Sequence, residues 1–149
     1  MLPLILGLGA AGILWAAFHK REPEAFISFS MKDARIRDLF VGQSKHPQAA
    51  WKFKDRSLHE PFSNAWKTQT AEIIKASDVV IVLVSENACD ADGVIWEVKK
   101  AQTLGVPAFG VFISKTGRPK LPDWLEHLDV IDWTQTGISE QLDAALAED

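Results

Sequence analysis

Apolar positions along this chain fall into short continuous runs, runs with helical spacing, and one long uncharged stretch at the amino terminus. The clearest continuous run is Val79 to Val84, whose β-branched content is that of a strand covered on both faces. It ends at Ser85, and the polar connection Glu86 to Asp92 leads into a helical stripe of Val94, Val98 and Ala101, with Lys99 and Lys100 on the other side. Upstream, Ala25 to Ser30 reads as a first strand, and Asp33 begins an amphipathic helix carrying Ile36, Leu39 and Phe40. After the polar connection Gly42 to Ala50, Trp51 to Phe53 reads as a short strand near an edge and Asp55 to Glu60 as a loop. Pro61 suits the first turn of a helix that carries Phe62, Trp66, Ile73 and Ile74 and ends near Ser77. Downstream, Pro107 to Ile113 is a fourth strand in which Gly110 permits close approach of backbone or ligand. Lys115 to Pro122 is a loop, Trp124 and Leu125 a short helix, Val130 to Asp132 the last strand, and Ile138 to Leu146 the final helix. This alternation predicts an α/β fold, an open parallel five-stranded sheet with helices on both faces.

The amino-terminal stretch changes the picture. Leu2 to Phe18 carries no charge and is followed at once by His19, Lys20 and Arg21. Its length is near the lower limit of roughly 17 to 25 residues for a helix that crosses a bilayer. A cleaved signal peptide would place positive charge before the apolar run; here it follows. Residues 1–19 are therefore expected to form a single-pass membrane anchor, 20–24 a hinge, and 25–149 a domain held on the cytoplasmic side. Gly7, Gly9 and Gly12 spell GxGxxG, but no strand precedes them and no acid closes the next strand, so they read as small residues of the spanning helix. Gly7 with Ala11, or Gly12 with Ala16, is spaced for close helix contact.

Composition narrows the function classes. A net charge of −4 leaves no general basic footprint, so nucleic acid is not the expected partner. Cys89 is the sole cysteine, which excludes an internal disulfide and a multi-cysteine zinc site. The four histidines are scattered without ligand spacing, so no metal site is expected, and no GxSxG turn marks a nucleophilic serine. A phosphoacceptor receiver would need acids where Ser30 and Ser85 stand. Lys52, Lys54 and Arg56 read either as a phosphate-attracting group or as a solvated face. In open α/β sheets the ligand crevice lies at the carboxyl ends of the strands. Polar residues stand there at Ser28, Ser30, Lys32 and Asp33, at Asp55, at Ser85, and at Glu97 in the helix after the third strand.

Three segments carry a family resemblance. Ile74 to Val98, with its strand, short loop and a helix bearing Trp96 and Glu97, resembles the core of a TIR-like domain. Ala25 to Asp33 (AFISFSMKD) is similar to the family's first strand and loop, and Phe53 to Phe62 (FKDRSLHEPF) to the segment after its second strand. The last is closest to the bacterial branch that includes the signal-producing subunit of Thoeris antiphage systems. The resemblance implies flavodoxin-like winding and, in catalytic members, cleavage of the nicotinamide–ribose bond of NAD, in some followed by closure to a cyclic ADP-ribose signal. NAD is then substrate rather than cofactor. Glu97 matches the catalytic glutamate by position, and Ser28, Ser30, Lys32, Asp33, Asp55, Ser85 and Trp96 are the expected substrate-binding residues. Partners implied are other copies of the chain or other TIR-like domains.

The reaction suits a single carboxylate. Nicotinamide is cationic in NAD and leaves neutral, so no strong general acid is required, and a carboxylate beside the ribose can stabilise the oxocarbenium-like state. Other readings stand beside these. Glu97 could be a surface residue paired with Lys99 or Lys100, Asp33 a helix cap, Trp96 a core residue, and Cys89 a loop or core thiol. Where many TIR domains have a tryptophan one turn before the glutamate, this chain has Gly93. The function classes left open are an NAD-cleaving enzyme, a non-catalytic module binding a nucleotide signal or another TIR-like protein, and a nucleoside glycosyl transferase.

Overall fold

The computed structural model describes residues 22–55, 65–114 and 117–147. Five strands form one parallel sheet in the order β2-β1-β3-β4-β5. They are β1 (Glu24–Ser28), β2 (Lys54–Asp55), β3 (Val79–Val84), β4 (Ala108–Phe112) and β5 (Val130–Asp132). The helices are α1 (Ala34–Ser44), α2 (Trp66–Ala76), the single turn α3 (Glu86–Cys89), α4 (Asp92–Leu104) and α5 (Gln135–Ala147). This is the flavodoxin-like winding, with its switch point between β1 and β3.

Alternation along the strands sorts the core into two layers. Ala25, Ile27, Val79, Ile81, Leu83, Phe109 and Val111 face one side, where Phe40 and Val41 of α1 and Ile138 and Leu142 of α5 cover them. Phe26, Val80, Val82 and Val84 face the other, against Ile74 of α2 and Val94, Val98 and Ala101 of α4. All six residues of β3 are buried, as its unbroken apolar run requires. Ser85 ends that strand and caps α3, its Oγ accepting from Ala88 N at 3.0 Å. Gly105 closes α4 at φ 71°, a left-handed position that favours glycine.

Several expectations are corrected. The second strand is Lys54–Asp55 rather than Trp51 to Phe53. Those two rings stack at 5.6 Å and pack on Phe40, so they serve the core, and the ladder to β1 begins only at Lys54. Glu24 already pairs in β1, so the hinge does not extend to residue 24. The connection Glu86 to Asp92 contains α3, and Met31–Asp33 form a 3-10 turn ahead of α1. Leu39, expected on the buried stripe, is 61% exposed. Gly110 is approached by side chains, for a Cβ there would lie 2.9 Å from Val84 Cγ2 and 3.1 Å from Val130 Cγ2. The expected anchor at 1–19, along with Arg56, Pro61 and Phe62, lies outside the described residues. Among the described residues no helix is long and apolar enough to cross a membrane.

Candidate functional site

α4 lies against the sheet through Val94, Val98 and Ala101, and this fixes where its other positions fall. Glu97 reaches the carboxyl end of β1, where Ser28 Oγ donates to Glu97 Oε1 at 2.6 Å. Ser28 is fully buried and, by alternation, shares the α4 face of β1 with Phe26. Glu97 keeps some surface open as a residue, but its carboxyl end is enclosed. Burial raises its pKa from 4.5 to about 7, with the Ser28 hydrogen bond pulling the other way. Its carboxyl is committed to Ser28, while Lys100 lies over the Trp96 ring with Nζ 5.7 Å from the centroid. A carboxyl held near neutrality at a strand end is the kind of group found at reactive sites.

A second polar cluster occupies the switch point. Ser85 Oγ donates to Asp33 Oδ2 at 2.5 Å, and Asn87 Nδ2 donates to Asp33 Oδ1 at 3.0 Å. Asp33 is buried and makes no capping bond to α1, so its carboxylate joins the β1 loop to α3 instead. These residues line an open cavity of about 1630 Å³ that continues past Trp51, Trp133 and Arg118. The cavity exceeds the roughly 300 to 1,000 Å³ of common ligand pockets. Neither Glu97 nor Ser28 lines it. The expected site residues thus divide into Ser28 with Glu97 and Asp33 with Ser85, at neighbouring strand ends but not around one hollow. We centre the candidate chemistry on Glu97, because both oxygens of Asp33 are already occupied and Glu97 has the perturbed carboxyl.

The remaining candidates have local roles. Ser30 Oγ accepts from Lys32 N at 3.3 Å and so caps the turn, leaving the Lys32 side chain exposed. Asp55 accepts from the guanidinium of the buried Arg37, tying α1 to β2. Trp96 meets Trp66 edge-on with centroids 5.2 Å apart. Lys52 Nζ donates to the His46 carbonyl at 2.9 Å and Lys54 is exposed. Cys89 is half-buried, and burial followed by the charges of Asp90 and Glu86 raises its thiol pKa, which disfavours the thiolate form. Among the described residues no group of three or more histidine, cysteine or acidic side chains could hold a metal ion. Sequence reasoning missed Arg37, Asn87 and Trp66. Only Arg37 left a signal, since it stands on the apolar stripe with Phe40 and Val41, where a charge must find a partner.

Residues 26–118 match the family described as Thoeris protein ThsB, TIR-like domain. No curated protein matches the chain. Among solved structures, the TIR domain of the Toll-related receptor TRR-2 from Hydra magnipapillata aligns with a TM-score of 0.53. It is 14% identical, and the alignment covers 85% of this chain and 96% of that one. At that identity the likeness establishes the fold alone, a TIR-like one. The family match runs from β1 past the end of β4 and so takes in Ser28, Asp33, Ser85 and Glu97. Spanning more than half of the sequence, it means that the chain belongs to the Thoeris ThsB family of TIR-like domains.

Proposed function

We propose that this TIR-like protein cleaves the nicotinamide–ribose bond of NAD at Glu97 and feeds the ADP-ribose product into an antiphage signal, with residues 1–19 tethering it to a membrane. The observation that supports this reading most is the enclosed Glu97 carboxyl, bonded to Ser28 and poised near neutrality. In the reaction the C1′–N bond breaks and its electron pair leaves with neutral nicotinamide. The ionised carboxylate stabilises the positive charge left on the ribose. Water, or a hydroxyl of the same ADP-ribose, then adds at C1′ and loses its proton to solvent. Addition of the internal hydroxyl closes a cyclic product.

The test is nicotinamide release from NAD by the full chain in lipid, at high protein density because TIR-like domains are expected to act as assemblies. Wild type should release nicotinamide and Glu97→Gln should lower the rate by at least about a hundredfold. Failure of wild type to cut NAD at any density would remove the enzyme reading. A second reading is a non-catalytic module that binds a nucleotide signal, favoured by the large cavity that Glu97 does not line. It predicts a ligand-induced rise in Tm with NAD left intact.

A further inference from the structure

Two lysines converge on one indole close to Glu97. The Trp66 ring at the start of α2 meets Trp96 of α4, and Lys67 Nζ lies 5.8 Å from the Trp66 centroid and 5.9 Å from that of Trp96. Lys100 Nζ lies 5.7 Å from the same Trp96 ring. Neither ammonium has an ion-pair partner among the described residues. Both cations thus rest on a ring quadrupole rather than on a carboxylate, in a chain whose net charge is −4. Lys100 follows Glu97 by three residues, so the two are neighbours on the surface of α4.

We propose that Lys67 and Lys100 grip the diphosphate of a dinucleotide whose ribose faces Glu97. This names the phosphate-holding residues of the site proposed above and rests on that reading for where the ribose lies. A diphosphate brings negative charge and several acceptor oxygens to two unpaired ammonium groups, and hydrogen bonds between ionised partners are the strong ones. One ribose separates C1′ from the nearer phosphate, which suits a carboxylate and an ammonium on adjacent turns of one helix. The tryptophan pair forms an apolar wall beside the contact. The preferred ligand is therefore a dinucleotide or nucleoside diphosphate rather than a phosphate-free nucleoside.

The experiment measures ADP-ribose binding by calorimetry to the full chain in lipid nanodiscs. ADP-ribose has the diphosphate and no nicotinamide bond, so the readout needs no turnover. Wild type should bind it, the Lys67→Ala/Lys100→Ala variant should bind at least about tenfold more weakly, and Lys67→Arg/Lys100→Arg should recover part of the loss. Wild-type affinity should also fall with added salt. Equal ADP-ribose affinity for wild type and the alanine variant overturns the proposal, as does absence of ADP-ribose binding by wild type. A protein that binds ADP-ribose through the lysines but never releases nicotinamide removes the catalytic reading and keeps this one. One that cuts NAD yet binds ADP-ribose equally in both forms does the reverse.

Discussion

Glu97 couples chemistry to stability through one proton. Its folded pKa is raised from 4.5 to about 7, so between those values the folded chain holds a proton that the unfolded chain has released. Stability from this group is therefore intact below 4.5, falls as pH rises through the window, and is lowest above about 7. The shift corresponds to a penalty of about 3 kcal/mol at most. Glu97→Gln keeps an acceptor for Ser28 and removes the charge. It should match wild type in urea denaturation at pH 4.5 and exceed it by up to about 3 kcal/mol at pH 8. The same ionisation sets the proposed activity. NAD cleavage should rise with pH and level off above about 7, with roughly a tenth of the plateau at one unit below the pKa. A flat profile between pH 6 and 8 would count against Glu97 as the ionised group.

At the scale of elements, two contacts hold the sheet's flanks. Arg37 is the buried link from α1 to the edge strand β2, bonded to Asp55 and to Asp38, and its Nε has no partner. Arg37→Ala removes the guanidinium that bonds the half-buried Asp55 and should lower stability by about 1 to 3 kcal/mol in urea denaturation. Across the sheet, Gly110→Ala would press a methyl group against Val84 and Val130 and should cost about 1 to 3 kcal/mol in chemical denaturation. Elements with a strong period were legible in the sequence: β3 through its unbroken apolar run, α4 through Val94, Val98 and Ala101. The strand β2 was not, because its described residues, Lys54 and Asp55, show no apolar pattern and the neighbouring aromatic rings drew the assignment to themselves. The position of Glu97 was readable from the strand before it and the family resemblance. Its bond to Ser28 joins residues 69 apart, which no local pattern encodes.

For the whole molecule, every described strand and its covering helices lie within residues 24–147. A chain starting at Glu22 should therefore fold, with a cooperative transition, and remain in solution when floated with liposomes. The full chain should rise with the lipid if residues 1–19 span it. Recovery of both forms at the bottom of the gradient would refute the anchor. At one border the sheet ends in a very short strand, the three residues of β5. A border so brief gives an incoming chain almost no unpaired backbone to add to. Any docking of a second chain at that border would therefore rest on side chains rather than on strand addition, which guards against fibrous growth.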